Sequence, residues 1–304
     1  MRDWLDGVNE IKRSMVTRGF RYTATSAREA LDLLTRRLVT RVPEIPFVRD
    51  DLIPGCDYQV PVRVYHPRPG EALPVAVFVH GGGHVAGSAS LYDPIARKLA
   101  LASGRVLVSV DYRLAPECPY PAALKDVLAV VKGSYRLLDT LGLSYEESLS
   151  LVGDSGGGAL CATASHRCQC EPGVTIDRQV LIYPSLDYTL SQPSVTGNGA
   201  GYLLERDRIL WLFDCYLQSA EDRREVSPLF MTITPDYPRT LLVTAEHCPL
   251  RDEGIAYVTR LTDAGIPCEH QPFPGMIHAF LNCEDLAPDQ CAGFYERVER
   301  FFRE

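Results

Sequence analysis

The segment SLSLVGDSGGGALCATASH places Ser155 inside Gly153-Asp154-Ser155-Gly156-Gly157, which fits G-x-S-x-G. A serine hydroxyl is a weak nucleophile until a base takes its proton, and it must stand clear of the backbone to reach a carbonyl carbon. Flanking glycines permit the tight strand-to-helix turn that lifts Oγ above a sheet. An apolar run precedes the motif and a helical pattern follows it. That helix would turn its positive end toward the nucleophile, where negative charge develops during acyl transfer. A glycine-rich turn with no chemistry would also satisfy the pattern; the strand-turn-helix context favours catalysis.

A second glycine cluster, VFVHGGGHVAGSASLYD, sets His80-Gly81-Gly82-Gly83 directly after an apolar strand pattern. A loop of this kind aims backbone N–H groups at a carbonyl oxygen. Gly82 and Gly83, with the N–H of Gly156, would make a three-donor oxyanion hole. His80 reads as a residue that fixes the loop, because the loop and not the nucleophile sets its position.

Positioning these groups requires a sheet. Residues 1–45 read as helical, with apolar residues at helical spacing in SAREALDLLTRRLV and a stop at the prolines of RVPEIP. VRDDLIPG and YQVPVRVYHP then read as strands, followed by PVAVFVH (74–80), RVLVSVDYR (105–113), SLSLVGDS (148–155), RQVLIYPSL (178–186), RTLLVTAEH (239–247) and CEHQPFPG (268–275). From 74 onward the strands alternate with helical segments, the signature of a mostly parallel α/β sheet covered on both faces. Residues from about 187 to 235 break the rhythm: a Ser/Gly-rich loop, SQPSVTGNGAG, precedes an aromatic amphipathic helix, ERDRILWLFDCYLQ, and an irregular SPLFMTITPDYP. Together with residues 1–45 this insertion is expected to cap a domain spanning 46–304. Trp211, Phe213 and Tyr216 could line an acyl pocket, although packing of an ordinary helix explains them equally well.

Composition narrows the class. The chain has 304 residues, 46% of them apolar, enough for a substantial core. A net charge of −8 without a Lys/Arg cluster gives no footprint for a phosphate backbone or an anionic membrane, so neither nucleic acid nor membrane is expected as a partner. The charged N-terminus lacks the apolar core of a signal peptide, which points to a cytoplasmic protein. Its ten cysteines read as free thiols of a reducing compartment. HRCQC (166–170) suggests a metal, but no second Cys/His pair completes four ligands, so no metal is expected.

Beyond HGGG and GDSGGG, the chain carries DYRLAPECPYPAAL (111–124), LIYPSLD (181–187), AEHCPLRDEG (245–254) and FPGMIHAF (273–280) in one order. In these motifs it resembles the bacterial hormone-sensitive-lipase family (family IV) of α/β-hydrolase carboxylesterases and lipases, over roughly residues 45–304. The resemblance implies an eight-stranded sheet with a helical cap, no cofactor or metal, hydrolysis of small acyl esters, and frequent homodimers. It assigns Ser155 as nucleophile and His278, in GMIHAF, as its base. Gly156 stands where the family usually has alanine and keeps the backbone N–H.

One position departs from the pattern. The family reads A-E-x-D-P-L-R-D-E, and the aspartate before Pro-Leu-Arg is its catalytic acid; here that position is Cys248. A neutral thiol accepts poorly from an imidazole N–H and cannot offset imidazolium charge. Four groups could fill the gap: Asp187 after the preceding strand, Glu246 two residues back, Asp252 at a helix start where it could instead serve as an N-cap, and Cys248 itself as a thiolate. The expectation is a carboxylesterase weakened at its acid, acting on a small-molecule ester. The alternatives are a non-catalytic binder on an esterase fold, as in the gibberellin receptors that resemble this family, or an amidase or deacetylase.

Overall fold

The computed structural model describes residues 1–169, 171 and 173–304. Two helices, α1 (Arg2–Thr17) and α2 (Ala24–Leu38), lead into β1 (Phe47–Pro54), β2 (Gln59–His66) and β3 (Leu73–Val79). Then come α3 (Asp93–Ser103), β4 (Val106–Val110), α4 (Ala122–Leu141), β5 (Tyr145–Asp154), α5 (Gly156–Cys168) and β6 (Arg178–Ile182). The chain continues through α6 (Ser194–Gly197), α7 (Arg206–Tyr216), β7 (Arg239–His247), α8 (Arg251–Asp263), β8 (Cys268–Ile277) and α9 (Pro288–Arg303).

The strands form one eight-stranded sheet in the order β1-β2-β4-β3-β5-β6-β7-β8. Among the described residues the β1–β2 and β2–β4 pairings are antiparallel, and the pairings from β4 to β8 are parallel. β3, β4 and β6 are almost wholly buried, which explains why their sequences run apolar without alternation. α5 is enclosed as well, and its small residues, Gly, Ala, Cys and Ser, let it lie close against the sheet.

Three expectations needed correction. The strand expected over 178–186 ends at Ile182, because Tyr183 takes a positive φ of 36° and Pro184 follows, ending the pairing. SQPSVTGNGAG contains a helical turn, Ser194–Gly197. Asp252 is not an N-cap: α8 begins at Arg251 with Leu250 in the cap position. Cys170, the last residue of HRCQC, lies outside the described residues.

The N-terminal helices and the 187–235 insertion meet each other. Asn9 Nδ2 donates to the Gly201 carbonyl at 3.0 Å, and Lys12 Nζ donates to the Leu203 carbonyl at 2.7 Å. α2 is fastened by Arg28, whose Nε donates to the Val85 carbonyl at 2.9 Å while its other nitrogens grip Glu117 at 2.9 and 2.6 Å. These bonds hold α2 over the loop that follows β3.

Candidate active site

The β5–α5 junction is a sharp turn with Ser155 at φ 54°, ψ −120°, a strained backbone for a residue with a side chain. Crowding makes glycine necessary beside it. A Cβ on Gly153 would stand 2.5 Å from the Gly157 carbonyl oxygen, and one on Gly157 would run into the Val79 carbonyl. The turn therefore brings α5 hard against the end of β3, with the hydroxyl at the carboxyl edge of the sheet.

There Ser155 Oγ lies 2.9 Å from His278 Nε2. His278 follows β8, and Tyr183 packs edge-on against its ring with centroids 4.9 Å apart. The Gly82–Gly83 loop faces the same point: the position of a Cβ on Gly156 is 3.3 Å from Gly83 N and Cα. Among the described residues, the N–H groups of Gly82, Gly83 and Gly156 donate to no protein acceptor, whereas that of Gly81 is taken by Asp154 Oδ1 at 2.7 Å. Three donors without a protein acceptor thus lie on the glycine loop and at the start of α5, which meets the nucleophile turn.

His80 does not meet the nucleophile. Its ring stacks between Tyr92 and Tyr112, at 5.4 and 4.3 Å, and Tyr112 donates to its carbonyl at 2.8 Å. Asp154, buried beneath the loop, has its pKa raised to about 7 by desolvation, against the pull of the Gly81 N–H. His84, at φ 64°, stacks on Tyr216 at 3.9 Å and lies 3.0 Å from the Tyr188 hydroxyl, joining the loop to α7. The sequence motifs carried no sign of His84 or Tyr183 at this site, since both act through distant partners.

The other ring nitrogen of His278 faces the segment that follows β7. His278 Nδ1 lies 3.1 Å from Cys248 Sγ, and the Leu250 N–H donates to the same sulfur at 3.3 Å. Cys248 is fully buried, and desolvation pushes its thiol far above the ordinary range, outweighing the Leu250 N–H. Burial thus works against the thiolate form that the sequence left open for this sulfur. None of the three carboxylates reaches His278. Asp187 spends its oxygens on the N–H and hydroxyl groups of Thr189 and Ser191 at 2.5–3.0 Å. Glu246 is exposed and accepts from the Gly275 N–H at 2.7 Å. Asp252 is bound by Arg251 Nε at 2.8 Å. Asn198 and Ser194 of the insertion brace this segment through the Cys248 carbonyl at 3.1 Å and the Pro249 carbonyl at 2.7 Å.

Without a carboxylate, burial carries the pKa of His278 down to about 3, and the Arg208 cation adds to the shift. The sequence reading passed over Glu253, a fully buried carboxyl. Its Oε1 accepts from the Leu186 N–H at 2.6 Å and its Oε2 has no partner; desolvation raises its pKa well above the usual carboxylate range. Among the described residues no three His, Cys, Asp or Glu side chains converge on a metal position. No described helix is long and apolar enough to cross a membrane.

A serine elbow, an adjacent imidazole and a glycine loop on this sheet define an α/β-hydrolase, and the comparisons agree. The profile of a family described as alpha/beta hydrolase fold matches residues 76–282, and the chain belongs to that family, in its hormone-sensitive-lipase-like group. It is 34% identical over 277 residues to carboxylesterase NlhH of Mycobacterium tuberculosis, covering 88% of this chain and 86% of that one. It is 32% identical over 248 residues to an ethyl acetate hydrolase of Pseudomonas putida, covering 80% and 78%. Among solved structures, a hyperthermophilic esterase from the archaeon Pyrobaculum calidifontis superposes with a TM-score of 0.85 at 32% identity, covering 95% of this chain and 96% of that one.

Proposed function

We propose that the protein is a serine carboxylesterase for small acyl esters, with Ser155 as nucleophile, His278 as base and a neutral Cys248 in the acid's place. The observation that carries this reading is the 2.9 Å contact from Ser155 Oγ to His278 Nε2 beside three free N–H groups. His278 takes the hydroxyl proton as Oγ attacks the ester carbonyl, and the oxyanion that forms is held by Gly82, Gly83 and Gly156. Imidazolium returns the proton to the leaving alcohol. Water then attacks the acyl-enzyme by the same route and the carboxylic acid departs.

Cys248 supports this chemistry weakly. The productive tautomer carries its proton on Nδ1, donated to Sγ, and leaves Nε2 free to accept from Ser155. A thiol can instead donate S–H to Nδ1, which puts the ring proton on Nε2 and disables the base. A carboxylate forbids that second arrangement and also offsets imidazolium charge; a thiol does neither. The reading is accordingly an esterase slower than its carboxylate-bearing relatives. The N-terminal helices and the insertion act as its cap, and the nine described cysteines, all unpaired, fit a reducing cytoplasm.

A pure binding protein would need neither Ser155 nor His278, and their contact favours catalysis. Hydrolysis of p-nitrophenyl acetate and butyrate tests the proposal: the wild type should turn over both, and Ser155→Ala should lose turnover while keeping its fold. Undiminished hydrolysis by Ser155→Ala would overturn the serine mechanism.

A further inference from the structure

α7 crosses directly above the oxyanion loop. A Cβ on Gly83 would stand 2.6 Å from Leu212 Cδ1, so the Leu212 face of α7 looks onto the reacting centre. Arg208 lies one turn earlier, at i−4 from Leu212, and shares that face. Its positive charge opposes protonation of the His278 imidazole.

Among the described residues this cation forms no ion pair and no hydrogen bond. Arg208 is half-buried, and its guanidinium carbon lies 6.0 Å from the centre of the Tyr22 ring. Glu205, the N-cap of α7 and the carboxylate whose charge acts on Arg208, is paired with Lys12 Nζ at 3.1 Å. Lys12, Glu205 and Arg208 together leave one uncompensated positive charge. Such a charge costs free energy to enclose, and beside a base that must become cationic it also works against catalysis. An anion delivered by the substrate would remove both penalties.

Resting on the esterase reading, we infer that Arg208 is a specificity residue that takes the free carboxylate of an anionic ester, either the half-ester of a dicarboxylic acid or an acylated hydroxy acid. The planar guanidinium matches a carboxylate through two parallel N–H bonds. Once docked, the carboxylate cancels the charge that opposes imidazolium formation, so the preference reaches kcat as well as KM.

The test compares matched esters: monoethyl glutarate against ethyl valerate, which places the charge on the acyl side, and 3-acetoxypropionate against propyl acetate, which places it on the alcohol side. In the wild type the anionic member of one pair should have the higher kcat/KM by about tenfold to a hundredfold, the range of a charge-assisted hydrogen-bonded pair. Arg208→Met should bring that ratio to about one or below, and Arg208→Lys should restore part of it. Removing the cation eases protonation of His278 for every ester alike, so that effect cancels in the ratio. Poorer hydrolysis of the anionic ester in both pairs, or a ratio that Arg208→Met leaves unchanged, overturns the inference. If Arg208→Met fails to fold, inhibition of the wild type by valerate against valeramide decides: valerate must bind about tenfold tighter, and equal inhibition overturns the site. Cleavage of the neutral esters tests the esterase reading separately, since only the ratio and the inhibitor pair report on Arg208.

Discussion

Cys248 stands 3.1 Å from the imidazole it would have to support, and its neighbours already suit a carboxylate. The Leu250 N–H points at the sulfur, and the buried Glu253, its carboxyl pushed toward neutrality, adds little repulsion. Cys248→Asp should therefore raise kcat by about tenfold to a thousandfold, within the roughly 10⁴-fold that loss of the acid costs in related triads. Cys248→Ser exchanges one neutral acceptor for another and should change kcat little. The pH profile gives an independent check. With His278 at about 3, kcat/KM should stay level from about pH 8 down to about pH 5. An aspartate stabilises the imidazolium and raises that pKa, so the acid limb of Cys248→Asp should move toward neutrality. A wild-type limb near neutrality, or no gain from the aspartate, would contradict the neutral-thiol account.

The Gly82–Gly83 loop and α7 are packed closely against each other. Gly83 has φ 63° and no room for a Cβ beneath Leu212, so Gly83→Ala should tilt the donor N–H and push on the helix. A fall in kcat of about 10² is expected, comparable to losing one oxyanion donor. Leu212→Ala removes the collision but leaves the left-handed backbone, which costs about 1 kcal/mol for alanine. In that background Gly83→Ala should cost less than about tenfold. Equal losses in both backgrounds, measured by steady-state kinetics, would mean that Leu212 does not press on the loop. Gly156→Ala is different: its Cβ meets Gly83 and the His84 ring at 3.3 Å, tight but relievable, and the N–H survives.

Across the molecule, burial has shifted many titrations at once. His66, His80, His84, His270 and His278 all have lowered pKa values, chiefly from desolvation. Unfolding frees these rings to protonate near 6.5, so their contribution to stability is complete above that pH and is lost as pH falls. Asp154 and Glu253 act in the opposite direction, because their raised pKa values let the folded state hold protons that the unfolded chain releases above about pH 4. The histidines outnumber them, so stability should fall between pH 7 and pH 5 by about 1.4 kcal/mol per pH unit for each net proton taken up on unfolding. Urea midpoints at the two pH values measure this directly. A higher midpoint at pH 5 would show that the histidines are not buried neutral.

Local pattern was enough for the sheet and the elbow. Apolar runs of strand length, glycines at 153 and 157, and the HGGG loop each state their geometry within a few residues, so the α/β order and the Ser155 turn were legible in the sequence. Strand ends were less so, because Tyr183 ends β6 through a backbone angle that no composition rule announces. The acid position could be narrowed to four candidates and no further. Choosing among them depends on which atoms cross from one loop to another, and that is a tertiary property: Asp187 is consumed by its own turn, Glu246 faces outward to Gly275, Asp252 is held by Arg251, and the sulfur of Cys248 alone meets the ring. The protonation states were equally hidden, since they follow from how completely water is excluded and not from residue type. Arg208 looked like any arginine on an amphipathic helix until folding set that helix over the glycine loop and gave Glu205 to Lys12.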